Sequence, residues 1–323
     1  MRNGIDWKAY MEMAKKVSAE ALDAPSDSEL LTGSAIEPGV LALYESGYRR
    51  GNRTGWSSMD EYYTVRLGEF TVITGIPGHG KSSWLDNLMV NVSRNYNWRW
   101  AVFSAENFPV SRHVAGLMEV YSGKPFSKGF HARMTPSERD EALRWIGKYF
   151  RFIQPREDRY SLDRIVQIAF SIGDIDALVI DPWNELDHSR PKEMREDEFI
   201  SVSLTKLRWL ARNSEIHVFV VAHPGKYQRV HGQPKPIVTL NDVKGASEWY
   251  AKADNGLSVW RNEEDTTGAT DIHIQKIRFR EVGRAGAAVR LYYDRVTGRF
   301  TDPNQRPHID DCTRQREPGD DDA

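Results

Sequence analysis

One cysteine, Cys312, occurs in the 323 residues, which excludes a disulfide framework and a cysteine-based zinc site. The run of ~18 or more apolar residues that a membrane span needs is missing, and the N-terminus lacks the apolar core of a signal peptide. These absences predict no membrane partner and a location in the cytoplasm or an organelle matrix. A surplus of either charge is missing too. Lys and Arg number 44 against 46 Asp and Glu, a formal net charge of −2, so any nucleic-acid contact must come from local basic clusters. Internal repeats are absent as well. What is present is ordinary globular material, 40% hydrophobic and 28% charged, enough for a full core.

Residues 5–22 read as an amphipathic helix, with Ile5, Tyr10, Met11, Met13, Val17 and Leu22 interleaved with charge. Pro25, Asp27, Ser28 and Gly33 then break the pattern, so residues 23–34 read as a linker. From Glu69 onward, β-rich runs at 70–74, 100–104, 152–154, 177–180 and 218–222 alternate with helical stretches at 81–94, 109–122, 136–150, 162–172 and 194–213. This alternation predicts an α/β fold, a mainly parallel central sheet flanked by helices on both faces. Three further strand-like runs, 257–261, 271–278 and 288–294, are expected to extend it as antiparallel edge strands. From Asp302 the composition is that of a disordered acidic tail. The expected organisation is a linker helix and linker over 1–50, one α/β domain over 51–301 and the tail over 302–323.

The strongest chemical signal is Gly75-Ile76-Pro77-Gly78-His79-Gly80-Lys81-Ser82, a GxxxxGK[ST] motif between a strand and a helix. Its glycines let backbone N–H groups turn inward around phosphate oxygens, Lys81 reaches the β and γ phosphates, and the Ser82 hydroxyl is a Mg²⁺ ligand. The expected cradle runs from Gly75 through Pro77, Gly78, His79, Gly80, Lys81 and Ser82 to Ser83. Magnesium also wants a carboxylate at a neighbouring strand end, and Asp181 supplies one; its structural alternative is a strand-terminal turn beside Pro182. Glu106, after the strand 100–104, is the candidate that activates water; a helix N-terminal acid is the other reading. His223, after the strand 218–222, is the candidate γ-phosphate sensor, although a histidine there is often a satisfied structural residue.

Together and in this order, these elements resemble the helicase domain of the DnaB, Twinkle and phage primase-helicase group within the RecA-like ATPases. The resemblance covers residues 54–300: Thr54-Gly55-Trp56, the phosphate loop, Glu106, Asp181, His223, the segment Asp242-Val243-Lys244-Gly245-Ala246-Ser247, and the basic run Gln275-Lys276-Ile277-Arg278-Phe279-Arg280. It implies a RecA-like P-loop NTPase that uses ATP or dTTP with Mg²⁺ and assembles as a homo-oligomeric hexamer or heptamer. In such a ring Arg278, with Lys276 beside it, reaches the nucleotide of the neighbouring subunit. The alternative for Lys276, Arg278 and Arg280 is a solvated edge-strand face.

The resemblance further implies that Lys244, Gly245 and Ser247, joined by Lys226, grip single-stranded DNA phosphates. Tyr293 would stack on the base, with Lys124 a weaker candidate opposite. It also implies DNA unwinding in replication with 5′ to 3′ polarity, an N-terminal helix that ties subunits together, and a tail that binds primase or polymerase. That helix follows only a few residues, so both a stand-alone helicase and a cut-down primase-helicase fit. Two rival readings are a RecA- or KaiC-like DNA-dependent ATPase without unwinding, and a nucleotide-regulated scaffold or loader.

Overall fold

In the computed structural model, residues 33–155, 160–225, 227 and 234–303 are described. The expected helix over 5–22, Lys226, Cys312 and the tail from 304 onward lie outside these residues. The chain divides between Gly51 and Asn52 into two units. In the first, helix α1 (Gly33–Ser46) begins where the end of a linker was expected, contains Pro38, and buries none of its residues.

The second unit opens with Thr54-Gly55-Trp56 and a short helix, α2 (Ser57–Asp60). Strand β1 (Phe70–Thr74) is buried along its whole length, as its unbroken Val/Ile/Phe/Thr run requires of a central strand. It leads through the phosphate loop into α3 (Lys81–Tyr96), which buries Trp84, Leu85, Leu88, Met89 and Val92 against the sheet. β2 (Trp100–Ser104), α4 (Val110–Ser122) and α5 (Pro136–Tyr149) follow. A Thr135–Glu138 capping box starts α5, with Pro136 in its first turn. β3 (Phe150–Phe152) begins where α5 stops, two residues before the expected run, because Phe150 already pairs with Trp100. α6 (Leu162–Ile172), β4 (Ala177–Asp181), α7 (Glu196–Ser214), β5 (His217–Val221) and a short helix, α8 (Ala246–Lys252), complete the helical part.

β6 (Asn255–Trp260), β7 (Ala269–Ile277), β8 (Ala288–Tyr293) and β9 (Phe300–Thr301) end the fold. The sheet order is β3-β2-β4-β5-β1-β6-β7-β8-β9. Pairing is parallel from β3 through β6 and antiparallel beyond. Two of the three late strands are thus antiparallel as expected, but β6 pairs in parallel with β1, continuing the central sheet. β7 alternates, burying Thr270, Ile272 and Ile274, until Gln275 bulges out of register between Ile274 and Lys276. It ends at Ile277, so of Lys276, Arg278 and Arg280, which strand alternation was to align, only Lys276 lies within it.

Register decides where chemistry can occur. Ser104 lies opposite Asp181, Ile180 opposite Val220, and Ile73 opposite Val221. The residues that follow β1, β2, β4 and β5 therefore emerge at one level, the carboxyl edge where open parallel sheets bind ligands.

Candidate active site

The phosphate loop is held by steric demands that glycine alone meets. Gly75 sits at φ +144°, and a Cβ there would collide with the Val259 carbonyl oxygen. Gly80, at φ +93°, turns the chain into α3. Lys81 is buried, and its ammonium donates to the carbonyls of Gly75 (2.8 Å) and Ile76 (3.3 Å), so it is folded over the loop where phosphates would lie. Burial lowers it to about 8, against the pull of Asp181 and Glu106. Pro77 and Gly78 shape the turn, closed by the His79 N–H on the Ile76 carbonyl (3.2 Å).

The His79 imidazole has a backbone partner of its own. It is buried against β6, accepting the Arg261 N–H at Nδ1 (3.2 Å), and burial lowers it to about 4, so it is a neutral structural group. Behind the loop, Trp56 stacks on Trp84 of α3 (6.1 Å between ring centroids) and donates from its indole to the Phe300 carbonyl (2.9 Å). The Thr54-Gly55-Trp56 motif thereby braces the phosphate-loop helix from the rear.

Asp181 ends β4 beside Ser82, whose hydroxyl hydrogen-bonds its carboxylate; Oδ1 is buried with no hydrogen-bond partner among the described residues. Burial raises Asp181 to about 6, Ser82 opposing and Asp86 and Glu106 adding to the rise. An orphaned carboxylate oxygen next to a serine hydroxyl suits a divalent cation whose other ligands are phosphate oxygens and water. The Asp181 carbonyl accepts the Ala105 N–H (3.0 Å), which sets Glu106 beside it. Glu106 Oε1 lies 3.9 Å from His223 Nε2, and burial together with Lys81 lowers His223 to about 4. The histidine is therefore neutral, and this approach is not an ion pair.

Sequence reasoning missed three neighbours. Asn184, three residues beyond Asp181, accepts the His223 backbone N–H at Oδ1 (2.8 Å) and ties the residue after β5 to the end of β4. Asp86, one helical turn after Ser82, pairs with buried His113 (2.8 Å). Burial opposes charging His113, but Asp86 outweighs it and raises its pKa. The spacing of Asp86 from Ser82 was a readable signal; Asn184 and His113 carried none.

Tyr293 lies by α3, hydrogen-bonded to Ser83 and packed on Phe300 (5.0 Å between centroids). Lys124 is instead paired with Glu138 (2.6 Å) at the start of α5. Lys244 is exposed and paired with Glu196 (2.7 Å), Gly245 has φ +77°, and Ser247 is exposed. A β-bridge from Pro224 to Val243 and the Gly225 N–H on the Asp242 carbonyl (2.7 Å) join this segment to the residues after His223.

Arg278 stands apart. Its N–H donates to the Asp254 carbonyl (2.9 Å), and the Asp254 N–H donates to Phe70, the first residue of β1. Arg278 is thus at the amino edge, with the five-residue length of β1, roughly 13 Å, between it and its own phosphate loop. The Lys276 ammonium donates to the Tyr250 and Ala251 carbonyls and lies over the Tyr250 ring (4.8 Å). Burial and Arg278 lower it to about 8.

A phosphate loop between a parallel strand and a helix, with a carboxylate at each of two neighbouring strand ends, defines a RecA-like P-loop ATPase fold. Comparison with known proteins narrows that class. A family model described as an AAA domain matches residues 62–229. The Twinkle homolog protein, chloroplastic/mitochondrial, of Arabidopsis thaliana is 36% identical over 273 residues, 81% of this chain and 38% of that protein's length. Among solved structures, one described as an ATPase domain has a TM-score of 0.69 at 18% identity, covering 84% of this chain and 99% of that one. A DnaB-like replicative helicase, described with its interactions with primase, has a TM-score of 0.67 at 18% identity, covering 85% of this chain and 69% of that one. The chain belongs to the AAA-domain family, and its fold is the RecA-like ATPase fold of the DnaB-like replicative helicase and the ATPase domain it resembles.

Proposed function

We propose that this chain is the motor of a ring-forming, ATP-dependent DNA helicase that travels on single-stranded DNA and unwinds duplex during replication. One observation supports the shared-site reading above all. Lys81, Ser82, Asp181, Glu106 and His223 meet at the carboxyl edge, whereas Arg278 is at the amino edge and out of reach of its own loop. A site that uses Arg278 needs two copies of the chain, and a closed ring of six or seven satisfies every copy.

In this reading Lys81 leaves its loop carbonyls to bind the β and γ phosphates of ATP or dTTP. Ser82 and Asp181 would hold Mg²⁺, which neutralises charge developing on the phosphoryl oxygens. Glu106 orients the attacking water and takes its proton. Neutral His223 donates its one ring N–H toward the γ phosphate, and Arg278 of the adjacent copy stabilises the transferred group. Loss of the γ phosphate would release His223. The Pro224–Val243 bridge would carry that shift to Lys244, Gly245 and Ser247, changing their grip on DNA phosphates. Lys226 joins them in this reading, Tyr293 stacks on the base, and the tail contacts primase or polymerase. No helix among the described residues is long and apolar enough to cross a membrane. The proposed location is the cytoplasm, or an organelle matrix as the name of the Arabidopsis relative suggests.

The test is steady-state ATP hydrolysis with and without single-stranded DNA, on wild type, Lys81→Ala, Arg278→Ala and a mixture of the two variants. Expected are stimulation by DNA, a loss of at least about a hundredfold in each variant, and partial recovery on mixing. Hydrolysis indifferent to DNA and to Arg278→Ala would remove both motor and ring. DNA-stimulated hydrolysis without strand displacement on a forked duplex would assign the RecA- or KaiC-like alternative.

A further inference from the structure

Asp254 has no part in the roles above, yet Arg278 is built onto it. It is fully buried at the residue before β6, and its Oδ2 accepts the Phe70 N–H (3.1 Å). Its Oδ1 lies 2.8 Å from Arg278 Nε, 3.3 Å from Arg212 Nη2 and 3.8 Å from Arg208 Nε, the last two arginines coming from α7. Arg278 Nη2 is fastened in turn to the carbonyls of Ala251 (3.0 Å) and Ala253 (3.3 Å), where α8 ends.

We propose that Asp254 is a positioning residue for Arg278, presetting its guanidinium for the nucleotide of a neighbouring copy, while Arg208 and Arg212 keep the carboxylate paired when Arg278 moves out. The inference rests on the reading of Arg278 as an arginine that acts in trans.

Two physical points carry it. A long side chain on an open surface samples many rotamers, and a catalytic group misplaced by an ångström loses most of its effect. Nε bound to a rigid, backbone-anchored carboxylate removes that freedom before the neighbour arrives. A tether this strong would also trap Arg278, because a buried carboxylate without a partner is strongly destabilising. Three guanidinium groups on one carboxylate resolve the conflict. Arg208 Nε is buried with no hydrogen-bond partner among the described residues, and Arg212 is already within hydrogen-bonding reach of Oδ1. Burial first, then Arg278 and Arg212, lower the pKa of Arg208, against the pull of Asp254.

The experiment uses the full chain with Asp254→Asn and Asp254→Glu, each alone and mixed with Lys81→Ala, alongside Arg278→Ala. DNA-stimulated kcat and the KM for ATP are measured separately. Asp254→Asn should lower kcat about thirtyfold or more with KM within about threefold, since the arginine acts on the transition state. Asp254→Glu keeps the charge but displaces the carboxylate by one methylene, and should cost about tenfold. Mixing with Lys81→Ala, which retains Asp254 and Arg278, should restore part of the activity of both variants. Wild-type kcat in both Asp254 variants while Arg278→Ala is inactive would overturn this proposal and leave the trans reading standing. A loss that no mixture restores would mark Asp254 as a folding residue and overturn it as well. If Arg278→Ala keeps its activity, the trans reading falls, and this proposal with it.

Discussion

An ionised carboxylate at Asp181 is destabilising on balance, because its burial beside Asp86 and Glu106 outweighs what Ser82 and His113 offset. Its pKa rises from 3.8 to about 6 on folding. The folded state therefore binds the proton more tightly, and the relative stability this confers is fully present below pH 3.8 and lost as pH climbs through 6. Asp181→Asn, without nucleotide or divalent cation, should be more stable than wild type by about 3 kcal/mol at pH 7.5. That gain should shrink as pH falls through 6 and nearly vanish below 4, as read by urea unfolding across that range. A gain independent of pH would mean the carboxylate is not the strained group. Lys81, Ser82, Glu106, Asp181 and His223 were all legible in the sequence, because each follows a buried apolar run that ends at the same edge. The structure also shows what spacing could not: the buried His79 ring accepts the Arg261 N–H, and Asn184 holds the His223 backbone.

At the scale of elements, the short α8 lies between two proposed sites. It begins after Gly245, at φ +77°, and its end is fastened to Lys276 and Arg278. A Cβ at Gly245 would also stand 2.7 Å from Ile200 Cδ1. Gly245→Ala should cost on the order of 1–2 kcal/mol of stability through the left-handed backbone. Stimulation by DNA should fall several-fold with DNA-independent hydrolysis within about twofold, measured by DNA titration of ATPase rates. An unchanged response to DNA would remove this segment from the DNA reading. Long periodic elements such as α3 and α6 were readable from their apolar spacing. α8 was not, since seven residues carry too little period, and its buried tryptophan, Trp249, packs against Trp183 in the turn just past β4 (5.3 Å between centroids).

For the whole molecule, Arg278 and the phosphate loop lie at opposite edges of one sheet, which ties proposed activity to assembly. Specific ATPase activity should fall steeply on dilution below the assembly concentration, and the residual rate of Arg278→Ala should not. A wild-type rate independent of dilution would show that one copy suffices. The order of strands and helices, the phosphate loop and the acids after their strands follow from local composition and period, so the sequence by itself determined the fold class and the chemistry on offer. Which of those groups meet depended on non-local pairing. β1 takes β5 and β6 as neighbours, both far along the chain from it, and that order puts Asp254 and Arg278 at the amino edge. Only the tertiary structure decided this, because strand order is selected by burial of both faces of the sheet, and no local pattern records it.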